Sequence, residues 1–301
     1  MKRGYALCVG LTPAVQDTRV VGRLQLGEVN RCRSVAVSAA GKGLNVARMV
    51  QQLGGTAVVV GFAGTTATPL FGLHSWERFI PVRARNRVCV TVREEATGRV
   101  TELVEEAQCP RPSEWRALFR LLDELADGAQ QLAISGALMP GAPPDMYARI
   151  VQRVGQKTVL IDSQGEPLRR VLPLMPLLVK LNRLELINTV GPLPLERAAR
   201  KLCALGARHV LVTEGARGAW LIAPGGSWRF EIPRVRALNP IGSGDAVTAG
   251  ILVGLQREQS LPEAVRLGMA CGVANTLTPL AGYLRRADVR EILPRVRCRP
   301  A

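Results

Sequence analysis

Histidine is almost missing from this chain, with two in 301 residues. Seven cysteines stand at positions 8, 32, 89, 109, 203, 271 and 298, widely spread and without a Cys-x-x-Cys pair. A zinc cluster therefore has no ligand set, and reduced thiols are expected. Aromatic residues make up 4 %, too few for the stacking platforms on which single strands of nucleic acid are bound. Lysine is scarce too, at positions 2, 42, 157, 180 and 201 among 40 basic residues. No apolar run approaches the ~20 residues of a membrane-spanning helix. The first residues run quickly into Gly10 and Pro13 without a signal peptide's apolar stretch. The expectation is a cytoplasmic protein with no membrane partner.

What is present is a large core. The chain is 47 % apolar and 21 % charged, a balance that excludes disorder along its length. The net charge of +16 is spread out, and its densest groups, Arg83, Arg85 and Arg87 or Arg295, Arg297 and Arg299, hold three each. Such a surface favours anionic small molecules over a specific nucleic-acid partner. Runs rich in Val, Leu and Ile predict buried strands at 5–10, 56–62, 131–135, 157–162, 177–181 and 208–213. Helical patterns at 45–53, 113–126, 145–154, 183–190, 195–205, 243–256 and 261–278 alternate with them. That rhythm predicts an α/β fold with a mostly parallel sheet covered on both faces. Residues 12–38 and 87–106 break the rhythm; the second reads as a hairpin turning near Thr97 and Gly98. Together they predict one small antiparallel sheet standing over a substrate crevice.

Two stretches carry chemistry. In Asn239-Pro-Ile-Gly-Ser-Gly-Asp245 the glycines allow a tight turn, followed by helix from Ala246. Amides of Gly242, Ser243 and Gly244 at a helix start make an anion hole. Asp245 would repel a phosphate and suits a base that takes a proton from an attacking hydroxyl. The same residues equally fit an ordinary Gly-rich turn with an acidic helix start. In Ala40-Gly-Lys-Gly-Leu-Asn45, Gly41 and Gly43 flank Lys42 just before a helix. Either this is a turn with an exposed lysine, or Lys42 meets an anion while Asn45 bonds a polar ligand. The spacing is not that of a P-loop, and no Gly-x-Gly-x-x-Gly follows the first strand. Three further stretches sit at strand ends: Ser135-Gly136, Lys180-Leu-Asn182-Arg-Leu-Glu185, and Thr213-Glu-Gly215-Ala-Arg-Gly218. Each alone suits a structural role.

In order and spacing these elements resemble the ribokinase-like, phosphofructokinase-B carbohydrate kinases, in particular the tagatose-6-phosphate kinase and 1-phosphofructokinase group. The resemblance spans nearly the whole chain. It implies a single domain over 1–301, a three-layer α/β/α sandwich with a small β-sheet lid from about 12–38 and 87–106. It also implies ATP-dependent phosphorylation of a hexose phosphate (fructose 1- or 6-phosphate or tagatose 6-phosphate) with Mg²⁺, and potassium as a candidate activator. Lids of this type pair between subunits, which implies a homodimer. By the same resemblance Asp245 is the catalytic base, and Asn182 and Glu185 organise magnesium through water. Lys180, Asn182, Thr213, Gly215, Gly218 and Asn275 surround the nucleotide. Lys42 and Arg87 hold the sugar's phosphate, while Gly41, Gly43, Asn45, Ser135 and Gly136 lie toward the sugar.

The chain departs from the family pattern mainly on the sugar side. Gln16 stands where a carboxylate is usual, and Asp17 would point to the opposite strand face. Ala40, Thr65-Thr66, Ala137 and Leu181 are further changes, and the stretch from 64 to 87 is short. Two alternatives remain: a kinase for an unphosphorylated sugar or nucleoside, and a catalytically weak member that only binds sugar phosphate.

Overall fold

The computed structural model describes residues 4–64, 70–155 and 157–301. The Thr65-Thr66 change lies outside them. In chain order the strands are β1 (Tyr5–Val9), β2 (Ala14–Val21), β3 (Ser34–Ala40), β4 (Ala57–Gly64), β5 (Glu77–Val82), β6 (Arg87–Glu94), β7 (Val100–Val104), β8 (Ala129–Ser135), β9 (Thr158–Asp162), β10 (Leu178–Asn182), β11 (Val210–Thr213), β12 (Ala219–Ala223), β13 (Gly226–Glu231) and β14 (Arg297–Pro300). The helices are α1 (Lys42–Gln52), α2 (Pro112–Ala126), α3 (Met146–Val154), α4 (Gly165–Val171), α5 (Arg183–Val190), α6 (Leu195–Ala204), α7 (Ser243–Gln256), α8 (Leu261–Thr276) and α9 (Arg286–Ile292).

Ten strands form the main sheet in the order β14-β13-β12-β11-β10-β9-β8-β1-β4-β5. From β5 to β11 every neighbouring pair is parallel, as the alternation of strand and helix requires. The last three strands turn antiparallel at one edge. Leu7, Val9, Ile134, Val179 and Val212 face one helical layer, built on α2 to α6. Ala6, Cys8, Ala133 and Leu211 face the other, built on α1, α7, α8 and α9. The chain leaves β1 for β4 on one side and reaches β8 on the other. Crevices at the carboxyl ends of strands around such a reversal are where open α/β sheets bind ligands.

A separate four-stranded sheet has the order β3-β2-β6-β7. It is mixed, not antiparallel: β2 and β6, at its centre, run parallel, with Gln16 opposite Cys89. The long excursion through β4 and β5 between these strands makes the parallel pairing possible. Helix α1 begins at Lys42, three residues before the predicted start, because Gly41 is its N-cap and its carbonyl accepts the Asn45 amide at 2.9 Å. Among the described residues no helix is long and apolar enough to cross a membrane.

Candidate active site

The entry to α1 is set by close backbone packing. A Cβ on Gly43 would lie 2.6 Å from the Gly10 Cα, so only glycine lets the helix sit against the end of β1. That approach carries Lys42 to the carboxyl ends of β9 and β10. Its Nζ lies 3.2 Å from Asp162 Oδ1 and 3.6 Å from Glu185 Oε1. Lys180, in the middle of β10, reaches the other Asp162 oxygen at 2.8 Å. Asp162 and Lys180 are both buried. Burial alone would raise the Asp162 carboxyl, but the charges and hydrogen bonds of Lys180 and Lys42 outweigh it and hold the carboxyl below its usual range. Asp162 raises the Lys42 ammonium in return, against the opposing effect of burial.

The glycine turn before α7 is fixed by Asn239, whose side chain accepts from the Ile241 amide at 3.0 Å and donates to the Pro279 carbonyl at 3.0 Å. Gly242 has φ 82°, and a Cβ there would meet the Gly282 nitrogen at 2.6 Å. The Ser243 amide is engaged in the turn, donating to Pro240 at 3.2 Å. Gly242 and Gly244 therefore supply the outward amides of this helix start. The Lys180 ammonium lies beside Gly244. Asp245, in the first turn, is buried and accepts a 2.8 Å hydrogen bond from Asn45 Nδ2. Burial, assisted by the charge of Asp162, pushes its carboxyl up to about 6 against the pull of Lys42, Lys180 and Asn45.

These groups share a cavity of about 450 Å³ roofed by the small sheet. Its walls include Gln16, Gly41, Lys42, Asn45, Arg87, Lys180, Asn182, Glu185, Thr213 and Gly215 together with Gly242, Ser243, Gly244 and Asp245. A recess of about 250 Å³ continues past Lys42, Arg87 and Glu185 to Gly136. A cleft of about 650 Å³ opens on the other side of Thr213, Gly215, Ser243 and Gly244, walled by Ile232, Val235, Met269 and Val273. Its apolar lining suits a flat heterocycle.

Four of the residues singled out from sequence line none of these spaces. Gly43 packs on Gly10, and Gly218 packs on the Phe230 carbonyl. Ser135 is buried at the end of β8, and its Oγ has no hydrogen-bond partner among the described residues. Asn275 is fully buried and donates to the Tyr283 carbonyl at 2.8 Å. Asn182 and Glu185 form a reciprocal cap on α5: Asn182 Oδ1 accepts from the Glu185 amide at 2.9 Å, and Glu185 Oε2 accepts from the Asn182 amide at 2.8 Å. Both residues line the cavity, and Glu185 Oε1, the oxygen not used in the cap, lies 3.6 Å from the Lys42 ammonium. Among the described residues no cluster of three or more His, Cys, Asp or Glu side chains stands ready to hold a metal. Sequence reasoning passed over Asp162, whose one signal was its place as the last residue of a predicted strand. It also passed over Glu102 and Cys89 in the cavity roof, and over the apolar cleft walls.

Solved structures of sugar kinases are similar to this chain over nearly its whole length. Phosphofructokinase-2 from Escherichia coli, solved with substrates and products, superposes with a TM-score of 0.87 at 27 % identity, over 97 % of this chain and 98 % of that one. A possible 1-phosphofructokinase from Thermotoga maritima gives 0.86 at 18 % identity over 99 % of both chains. Ribokinase from the same organism gives 0.75 at 19 % identity over 97 % and 99 %. The last two establish the ribokinase-like fold. The pfkB family carbohydrate kinase model matches residues 4–285. That span includes both glycine turns, the roof and the whole cavity, so the chain is a kinase and belongs to the pfkB family of carbohydrate kinases.

Proposed function

We propose that this kinase transfers the γ-phosphoryl group of ATP to a hydroxyl of a hexose phosphate, with fructose 1-phosphate, fructose 6-phosphate or tagatose 6-phosphate as acceptor. The observation that carries the reading is Asp245. It is a buried carboxylate at the head of a helix, with its carboxyl pushed up to about 6. In the reaction the acceptor oxygen attacks phosphorus, the bond from phosphorus to the ADP oxygen breaks, and Asp245 takes the hydroxyl proton. The amides of Gly242 and Gly244 and the Lys180 ammonium face the phosphoryl oxygens, where charge must be stabilised.

The apolar cleft receives the adenine, and Thr213 and Gly215 mark its passage into the transfer cavity. Magnesium, when bound, neutralises phosphate charge. The Glu185 oxygen not used in the cap fits an ion that keeps most of its waters, and with Asn182 it would hold the ion through them. Arg87 and Lys42, at the opening of the smaller recess, are the pair for the acceptor's own phosphate. They favour a phosphorylated sugar over a free sugar or nucleoside. The outer face of the small sheet exposes Val35, Val37 and Leu103, a surface we assign to a second copy of the chain. A sedimentation measurement returning only monomer would reject that pairing.

ADP release measured across free hexoses, nucleosides and hexose phosphates tests the substrate class. Turnover is expected to be fastest with a hexose phosphate. Turnover confined to unphosphorylated acceptors would overturn the reading.

A further inference from the structure

Among the described residues four carboxylates face the transfer cavity, and three of them already have work. Asp162 is held by Lys42 and Lys180. Glu185 caps α5 with one oxygen and faces Lys42 with the other. Asp245 accepts from Asn45 and is the base of the proposed reaction. Glu102, on β7, is the fourth. It lines the cavity on an exposed stretch of β7, no salt bridge engages its carboxylate among the described residues, and partial desolvation pushes the carboxyl up.

Glu102 stands opposite Thr91 on β6, on the roof face that also carries Gln16 and Cys89. Gln16 donates its amide nitrogen to the Cys89 carbonyl at 3.0 Å and to Thr91 Oγ1 at 2.7 Å. A backbone carbonyl only accepts, so the side-chain nitrogen is fixed on that side and Gln16 has only its carbonyl oxygen left to offer. The cavity is therefore divided. Lys42, Lys180 and Arg87 at the start of β6 supply donors and positive charge, whereas Gln16 and Glu102, farther along the roof strands, supply acceptors. A sugar phosphate has the complementary division, an anion at one end and hydroxyl donors along the rest.

We infer that Glu102 is the carboxylate that accepts hydrogen bonds from the sugar's hydroxyls, and with the Gln16 carbonyl sets which hydroxyl arrangement the cavity admits. The inference rests on the sugar-kinase reading and adds the acceptor set that selects the sugar. A charged acceptor strengthens each bond it receives from a hydroxyl. A carboxylate also spans two adjacent hydroxyls, so epimers that move one hydroxyl are told apart.

The test compares wild type with Glu102→Gln and Glu102→Ala in the full chain. Fructose 6-phosphate, tagatose 6-phosphate and fructose 1-phosphate serve as acceptors. The first two differ only in the configuration at one hydroxyl-bearing carbon. Loss of a charged acceptor is expected to raise the sugar KM roughly tenfold or more in both variants. The KM for ATP and the melting temperature should stay at wild-type values, and the preference between the two epimers should narrow. Sugar KM values within about twofold of wild type would overturn the assignment, taking twofold (~0.4 kcal/mol) as below one hydrogen bond. A parallel rise of both KM values with a lowered melting temperature would also overturn it, since that marks a structural role. If the wild type uses none of these three but phosphorylates fructose, the hexose-phosphate reading fails on its own. The same comparison then runs on fructose, because hydroxyl recognition does not depend on the phosphate.

Discussion

Replacing Asp245 by asparagine separates chemistry from stability, because the structure predicts opposite signs for the two. The carboxyl is held at about 6 against an ordinary 3.8. A group that binds its proton more tightly folded than unfolded lowers stability as pH rises between those two values, and the loss is complete above the higher one. At ~1.4 kcal/mol per pKa unit, the ionised Asp245 costs the folded state on the order of 3 kcal/mol at pH 8. Asparagine keeps the shape and still offers an oxygen to Asn45, but it carries no charge to desolvate. Asp245→Asn is therefore expected to melt a few degrees higher than wild type at about pH 8, with the difference shrinking toward pH 4. Its turnover should fall by roughly 10²–10⁴-fold, the usual contribution of a positioned base. In wild type kcat/KM should rise with pH up to about 6 and then level off, and the variant should lack that limb. Calorimetry across that pH range and an ADP-release assay give both readouts. Near-normal turnover would refute the base assignment, and a lower melting temperature at pH 8 would refute the desolvation argument.

Asp162→Asn leaves Lys42 and Lys180 without their shared counter-charge, so urea unfolding should show a loss of about 3–5 kcal/mol. Because the Asp162 carboxyl is depressed in the fold, its stabilisation is present above the ordinary carboxylate range and is lost as pH falls; an unchanged acid limb in the variant would contradict this. Arg87→Ala should raise the KM for a sugar phosphate about tenfold while affecting an unphosphorylated sugar much less. Equal losses on both would show that Arg87 does not read the phosphate. Gly242→Ala forces a side chain onto φ 82° and into the Gly282 nitrogen, with an expected loss of about 1–3 kcal/mol and slowed turnover. Gln16→Glu sets an acceptor against the Cys89 carbonyl in place of a donor, so it should lower the melting temperature at neutral pH and recover it on acidification. Unchanged melting would mean that the roof does not depend on that bond.

The parallel half of the main sheet was readable because its strands are buried on both faces. Val210–Thr213 or Leu178–Asn182 can be little else once apolar, β-branched runs alternate with amphipathic helices. What escaped were elements stabilised by partners far along the chain. β14 is Arg-Cys-Arg-Pro, with only Cys298 packed inward, and it is a strand because β13 offers an open edge. α4 is seven residues long with Pro167 in its first turn and little intrinsic tendency to form. The roof was located by its alternating pattern, yet no local signal could reveal that β2 and β6 lie parallel. That follows from where the chain returns after β5, a matter of topology.

The site shows the same division between near and distant causes. Asp245, Lys42 and the two glycine turns announced themselves because a backbone packed within 3 Å of its neighbour leaves glycine as the only choice. Asp162 left no such trace, being one aspartate at the end of one strand. Its importance comes from two lysines, at 42 and 180, that the fold brings to its two oxygens. Once that triad is seen, the tuning of Asp245 becomes intelligible. With both lysines largely occupied by Asp162, less positive charge is available to stabilise an ionised Asp245, and burial prevails. Had either lysine faced Asp245 alone, its carboxyl would be held low and it would be a weak proton acceptor. In the proposed reaction the triad would thus act through a second carboxylate, Asp162, which takes up the lysine charge that would otherwise hold the Asp245 carboxyl low.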